Sequence, residues 1–192
     1  MKQLTKTAAM LFVLSLSANA FSADKGLLID NFDSASQTNI GMERIYIDDK
    51  TAGGNSITKT TIADGVITLK GDIVPPRGQP GWSSMVLPLS ALGETHDASD
   101  FSGVRLTVKI ISGSLSLSAN SKEVTNYDYH ASPIMVPADG KFHQIDIPFT
   151  QMKRMWSQQT ALNTETLNSI SVVAFGLKKS TFNFSVSDVS FY

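Results

Sequence analysis

A polar and aromatic cluster within residues 126–133 is the part of this 192-residue chain best equipped for chemistry. Two phenols, a carboxylate and an imidazole follow one another at Tyr127, Asp128, Tyr129 and His130. Aromatic faces stack on the C–H surfaces of sugars and neighbouring polar groups bind hydroxyls, a lining typical of small-ligand sites. Strand alternation would place both tyrosines on one face and Asp128 with His130 on the other. One pair should point inward, so the tyrosines fit either a binding surface or the core.

Arg154 and Trp156 form a second candidate pair, in a loop after a predicted strand. An indole ring can stack on a ligand while a neighbouring guanidinium binds a hydroxyl or carboxylate. We expect Trp156 to be more exposed than Trp82, although packing beneath a loop is the alternative for both. The resulting hypothesis is one shallow polar and aromatic ligand site, formed by Tyr127, Tyr129, His130, Arg154 and Trp156.

The sequence offers no recognisable catalytic set. His96, His130 and His143 are spread along the chain without an H-E-x-x-H motif, and no G-x-S-x-G elbow surrounds a serine. Carboxylates are plentiful, but the sequence gives no reason to choose a pair for glycoside hydrolysis. We therefore expect a protein that is not an enzyme.

No cofactor is expected, and structural calcium is the one metal for which ligands can be named. Oxygen ligands could come from Asp30, Asn31 and Asp33 near the first strand and from Asp188 near the last. The alternative is that these side chains occupy turns, where Asp and Asn bond to their own backbone.

The N-terminus has the pattern of a secretory signal peptide, predicted over residues 1–20. Lys2 and Lys6 precede the apolar run 8–16, and Ala18-Asn19-Ala20 fits the small-residue cleavage rule. The chain has no cysteine, so the exported domain, predicted over residues 21–192, must rely on its own core. The predicted location is periplasmic or secreted.

The charge balance argues against several kinds of partner. The chain carries 16 basic and 17 acidic residues, and loss of the leader removes only bases. Nothing in this balance attracts nucleic acid. No stretch after the leader is comparably apolar, so no transmembrane segment is expected.

Period-two alternation of apolar residues dominates the chain and indicates half-buried strands. Turn pairs such as Asp64-Gly65 and Asp139-Gly140 separate the strands. Only two short helical turns are expected, at residues 150–155 and 164–168. This pattern predicts an all-β, single-domain sandwich or jelly roll. The predicted strands are residues 27–32, 45–47, 57–62, 66–73, 83–87, 104–110, 115–119, 142–147, 170–177 and 182–192.

Several short motifs occur in the order found in one known family. They are the acidic glycine turn at 48–56, the D-G-V turn at 64–66, D-F-S-G-V-R-L at 100–106, F-H-Q-I-D-I-P-F at 142–149 and the strand approach at 167–173. Over residues 27–192 the chain resembles the complex I intermediate-associated protein 30 family, with Phe142 where that family usually has Trp. The resemblance implies a galactose-binding-like jelly roll, a fold shared by carbohydrate-binding modules and assembly factors. Fold alone does not settle function.

We interpret the chain as an exported, non-catalytic binding module whose partner is a glycan or similar polar ligand. The alternative is a protein-interaction or assembly factor for a respiratory or envelope complex, as the resemblance implies. An export signal argues against assembly of the inner arm of complex I, which would take place across the membrane. The turn at Gly53-Gly54 should hold Gly54 at a positive φ, or in a contact too close for a side chain.

Overall fold

A computed structural model describes residues 26–192 and shows antiparallel strands joined by short turns. The predicted signal peptide and the first residues of the predicted domain, 21–25, lie outside this range. The strands are β1 (Leu27–Asp30), β2 (Ile45–Asp48), β3 (Ile57–Ala63), β4 (Val66–Ile73), β5 (Gly81–Pro88), β6 (Gly103–Ser112), β7 (Ser114–Ser121), β8 (His130–Pro133), β9 (Phe142–Pro148), β10 (Leu167–Gly176) and β11 (Ser180–Phe191).

The predicted strands are all present, with boundaries that differ by a few residues. The short strand β8 was not among them, because its four residues show too little alternation to stand out. Helical structure within residues 26–192 is limited to single 3₁₀ turns. Two of these, Phe149–Gln151 and Thr164–Thr166, begin at or beside the predicted positions, and a third, Asp49–Ala52, was not predicted. No helix in the described range has the length and apolar character needed to span a membrane.

The strands form two sheets that pack face to face. The six-stranded sheet has the order β3-β4-β11-β6-β9, with β1 also paired to β11, and the five-stranded sheet has the order β2-β5-β10-β7-β8. Alternate residues point inward from both sheets, such as Leu106 and Val108 in β6 and Leu117 in β7, and these are fully buried. This arrangement confirms the predicted all-β jelly-roll sandwich.

The first and last strands meet, but the nearby acids are engaged by protein groups. Leu27 pairs with Phe191, and the buried Asp30 carboxylate accepts from Arg44 Nε at 2.6 Å and from Arg44 Nη2 at 2.7 Å. Asn31 Nδ2 donates to Asp33 at 2.6 Å. Across residues 26–192, no three or more His, Cys, Asp or Glu side chains are grouped so that they could hold a metal ion.

The turn between β2 and β3 is built around the buried carboxylate of Asp49. This carboxylate accepts from Ser56 N at 3.0 Å, from Ser56 Oγ at 2.6 Å and from Trp82 N at 3.2 Å. A Cβ atom at Gly54 would overlap the same carboxylate, so the expected close contact is present there. The positive φ belongs to the neighbouring Gly53, at 84°.

Candidate functional site

Two segments lie side by side at the β8 edge of the five-stranded sheet, and together they carry all five predicted site residues. Ala131 N donates to Lys153 O at 3.0 Å, and Lys153 N donates to Ala131 O at 2.9 Å. This bridge brings residues 126–130 against residues 154–157. The structure therefore places Tyr129 and Trp156 at the same end of the sandwich.

Asp128 organises the contact between the two segments. Its side chain is 1% exposed, and its carboxylate accepts from the backbone N–H groups of Met155 at 2.8 Å, Trp156 at 3.0 Å and Ser157 at 2.6 Å. Burial alone would raise the pKa of Asp128, but these hydrogen bonds outweigh it and hold that pKa below its ordinary value. An ionised, buried carboxylate thus stabilises the turn that carries Trp156.

Arg154 ties the same segments together from the other side. Its Nε donates to Asp128 O at 3.1 Å, and its Nη2 donates to Asn126 Oδ1 at 2.8 Å. The side chain is only 14% exposed. Its Nη1 donates to no group within residues 26–192, so one edge of an otherwise fixed guanidinium is left for another acceptor.

Three aromatic rings occupy this end of the sandwich, and we call Tyr127, Tyr129 and Trp156 the aromatic platform. Tyr127 is 79% exposed and Trp156 is 66% exposed. The rings of Tyr127 and Tyr129 meet edge to face, with centroids 6.4 Å apart. Tyr129 is half-buried, and this burial raises the pKa of its phenol. The protein thus presents apolar ring surface to solvent beside polar groups.

His130 lies inside the sandwich, not on its surface. It pairs with Ala119, whose side chain is part of the core, and it is itself buried. Its Nε2 lies 2.8 Å from Thr160 O, which requires the proton to be on Nε2. Its buried Nδ1 has no hydrogen-bond partner in the described part of the chain. Asp128 and His130 therefore form the inward pair, and the ring of His130 does not reach the platform surface.

A polar recess on the outward face of the five-stranded sheet was not predicted from the sequence. We define the polar recess by Ser118 and Asn120 in β7 and Ser169 and Ser171 in β10, which alternate with core residues and are nonetheless buried. Asn120 Nδ2 donates to Ser169 Oγ at 2.8 Å and to Ser171 Oγ at 3.1 Å. In sequence, serines alternating with Leu115 and Leu117 indicate only a solvated strand face.

The polar recess lies between the strand that follows the aromatic platform and a cavity. The β7 and β8 ladder ends at the pair Ala119 and His130, whose chain neighbours are Asn120 and Tyr129. In the other direction, Ser169 also lines a cavity of about 610 Å³, together with Val86 and Pro88. From β5 to β8 there are three strand spacings, or about 14 Å. The five-stranded sheet thus has a cavity toward one edge, buried hydroxyl and amide groups in the middle and aromatic rings at the other edge.

Comparisons with known proteins agree with this architecture. The family model described as Complex I intermediate-associated protein 30 matches residues 32–187. No curated protein sequence matches the chain.

Among solved structures, the chain is similar to a family 11 carbohydrate-binding module from a cellulosomal cellulase of Clostridium thermocellum. The identity is 15%, the match covers 88% of this chain and 95% of that one, and the TM-score is 0.64. A family 11 module from the same organism in complex with a β-1,3-1,4-mixed-linked tetrasaccharide gives 14% identity, coverage of 86% and 94%, and a TM-score of 0.60. An agarase gives 9% identity and a TM-score of 0.56, and the match covers 86% of this chain but 24% of the agarase. At these identities the similarity shows a shared fold.

Proposed function

Because the chain belongs to the complex I intermediate-associated protein 30 family and has a fold similar to that of carbohydrate-binding modules, we propose that it is an exported, non-catalytic binding protein for a carbohydrate or similar polar ligand. The observation that carries this proposal is the aromatic platform beside the polar recess. In a glycan complex, the rings of Trp156 and Tyr129 would stack on sugar faces. Ser169, which lines the cavity, and the Nη1 of Arg154 would bind sugar hydroxyls.

The five predicted residues have different roles in this proposal. Tyr127, Tyr129 and Trp156 contact the ligand, and Arg154 offers its Nη1 to a hydroxyl or carboxylate at the platform edge. His130 acts from beneath, because its bond to Thr160 O holds the start of β8 against the chain that follows Trp156. The neighbouring modules are named as carbohydrate-binding, and one is described with a bound tetrasaccharide, which supports a saccharide as the ligand.

The test is a glycan array screen of residues 21–192, with calcium and with a chelator. We compare the parent protein with the double variant Tyr129→Ala, Trp156→Ala. Loss of two stacking surfaces, worth about 0.5–1.5 kcal/mol each beyond their area, should weaken glycan binding roughly tenfold or more. The melting temperature should fall modestly, because Tyr129 is half-buried whereas Trp156 is mostly exposed, and the variant should remain folded.

Phe142→Ala is the matched control, since Phe142 is an exposed aromatic residue on the six-stranded sheet. It should leave glycan binding unchanged. Binding that survives in the folded double variant would contradict the platform as the site, and no binding of any glycan would contradict the proposed ligand class. If the chelator abolishes glycan binding, calcium is part of the site.

A protein partner is the second candidate, and a specific surface favours it. Among the strands of residues 26–192, β2 is an edge strand of the five-stranded sheet, and Ile45, Tyr46 and Ile47 are all exposed there. An unprotected edge strand with apolar side chains can accept an extended segment of another protein. Affinity capture with the parent protein, with Ile47→Lys and with the double variant Tyr129→Ala, Trp156→Ala tests this second candidate. A partner that is lost only in Ile47→Lys supports a role in assembly. A partner that is lost only in the double variant supports the glycan surface.

Export itself is part of the proposal. It is supported by the leader pattern in residues 1–20 and by the absence of cysteine from the sequence. N-terminal sequencing of protein recovered from the periplasm or the medium should find Phe21 as the first residue. An uncleaved chain recovered from the cytosol would contradict it.

A further inference from the structure

Two lysines face each other across the β3 and β4 ladder of the six-stranded sheet. Lys59 is the direct partner of Lys70, and both side chains are exposed. Neither forms a hydrogen bond or ion pair with any residue in the range 26–192. Like charges directly opposite each other destabilise a sheet, because paired Cβ atoms lie only about 4.5–5.5 Å apart. The pair therefore costs stability unless an anion lies between the two ammonium groups.

The same row continues with two uncharged hydrogen-bond donors. Asn183 in β11 is the partner of Lys70, and Ser112 in β6 is the partner of Asn183. Asn183 is half-buried and points outward, since Phe182 and Phe184 on either side of it are buried in the core. Ser112 is also half-buried, and a register shift between β6 and β11 at this point brings it to the same depression as Asn183. Within the described residues, the side chains of Asn183 and Ser112 also form no hydrogen bond. Two cations and two free donors thus lie in one line across four strands.

These four side chains line a shallow depression of about 450 Å³. Asp72 lies on the same face, two residues along β4 from Lys70, and is the acidic residue among those lining the depression. It has no ion pair at 4 Å or less with either lysine. The depression therefore carries one more positive than negative charge, although the chain as a whole has net charge −1.

We propose that Lys59, Lys70, Asn183 and Ser112 form a binding site for an oxyanion, meaning a sulfate, phosphate or carboxylate group. The two ammonium groups neutralise the charge, and the amide and hydroxyl donate to the remaining oxygens. The site lies on the six-stranded sheet, whereas the aromatic platform and the polar recess belong to the five-stranded sheet. It is therefore separate from the proposed glycan surface and holds whether or not that surface binds a sugar.

The test uses the mature protein and inorganic sulfate, titrated against chloride at matched ionic strength. Sulfate should produce a saturable NMR shift of the Asn183 side-chain amide and raise the melting temperature. Lys59→Gln with Lys70→Gln should weaken sulfate binding roughly tenfold, because charge-assisted hydrogen bonds are lost. Lys178→Gln, at an exposed lysine in the turn before β11, is the matched control and should bind sulfate as the parent does.

A second arm identifies the source of the anion. Binding of dextran sulfate and of polygalacturonate is compared with binding of unmodified dextran. If either charged polymer binds more tightly than inorganic sulfate does, the bound oxyanion belongs to a polymer. Binding of inorganic sulfate alone would assign it to a free ion. Equal responses to sulfate and chloride, or an unchanged sulfate response in the double lysine variant, would overturn the site.

The like-charge pair gives an independent readout without any ligand. In chloride alone, Lys70→Gln should raise the melting temperature, because the repulsion from Lys59 disappears. A simple solvated surface lysine predicts no change. A lower melting temperature for Lys70→Gln in chloride would contradict the argument from the paired charges.

Discussion

At the residue scale, Asp128 determines the shape of the candidate ligand surface. Three consecutive backbone N–H groups point at one carboxylate, and no ligand contact is needed for this role. The bonds fix the backbone of the turn that carries the exposed Trp156. A turn that is already ordered loses less conformational entropy on binding, which increases affinity.

We predict that Asp128→Asn reduces glycan affinity although Asp128 does not touch the ligand. The new amide directs N–H groups toward other N–H groups, so at least one buried donor loses its acceptor, at a cost of about 1–3 kcal/mol. Urea unfolding should show this loss, and the affinity for glycan should fall with it. Asp100→Asn, at an exposed aspartate, is the control and should change neither measurement. Parent-like stability and affinity in Asp128→Asn would contradict the role.

The direction of the pKa shift of Asp128 determines how its contribution to stability depends on pH. The pKa of Asp128 is lowered in the folded protein from an ordinary value of 3.8, so the carboxylate stabilises the fold above that pH. This stabilisation is lost as the pH falls below it. The stability difference between the parent and Asp128→Asn should therefore be constant near neutral pH and shrink in strong acid. A difference that grows on acidification would contradict the assignment.

At the element scale, the turn between β2 and β3 connects strands of both sheets. Asp49 accepts from Trp82 N at the start of β5, and Ser56 Oγ accepts from Val74 N just after β4. The turn therefore links the six-stranded sheet to the five-stranded sheet at one corner. Its geometry leaves no room for a side chain at Gly54.

We predict that Gly54→Ala destabilises the protein by about 1–3 kcal/mol, because the added methyl displaces the Asp49 carboxylate from its donors. The melting temperature should fall accordingly. Gly53→Asn is the control: Gly53 has a positive φ, but a Cβ atom there would meet nothing within 4 Å beyond its chain neighbours, and Asn tolerates that conformation. It should cost less than Gly54→Ala, and an unchanged melting temperature in Gly54→Ala would reject the account.

At the scale of the whole molecule, the two sheets share one core and depend on both ends of the chain. Strand β11, the last of the described strands, pairs with β1, β4 and β6, so a central strand of the six-stranded sheet is far in sequence from most of its partners. Long-range pairings of this kind make folding slow compared with helical domains. The two sheets are joined by their shared core, which makes them one cooperative unit.

We predict a single unfolding transition to which both sheets contribute. Leu117→Ala in β7 and Leu106→Ala in β6 should each destabilise the protein by about 2–5 kcal/mol, because each removes a fully buried side chain. Far-ultraviolet dichroism and tryptophan fluorescence should report the same midpoint in each variant. Leu177→Ala is the control at an exposed leucine and should be nearly neutral. Separate midpoints for the two probes would show that the sheets unfold independently.

The sequence by itself determined the fold class, most of the strands, the family and the neighbourhood of the candidate site. These features depend on local patterns: alternation marks a strand, Gly with Asp marks a turn, and short motifs in a fixed order mark a family. The pairing of residues 126–130 with residues 154–157 was also anticipated, since both segments carry aromatic and polar groups. Asp128 and His130 both point inward, which is one of the two predicted outcomes, but the predicted strand through them is wrong: β8 begins at His130, and Tyr127 has a positive φ of 62°.

Only the tertiary structure decided which faces are covered and which groups meet. The polar recess depends on the pairing of Ser169 with Asn120, residues from strands far apart in the chain, and no local pattern encodes that register. The anchoring of Asp128 is likewise hidden, because its donors are backbone N–H groups that every residue except proline carries. The row that contains Lys59 and Lys70 arises because β3, β4, β11 and β6 are neighbours in the sheet. Strand order is set by the burial of one apolar face of each sheet against the other, which is a property of the whole chain.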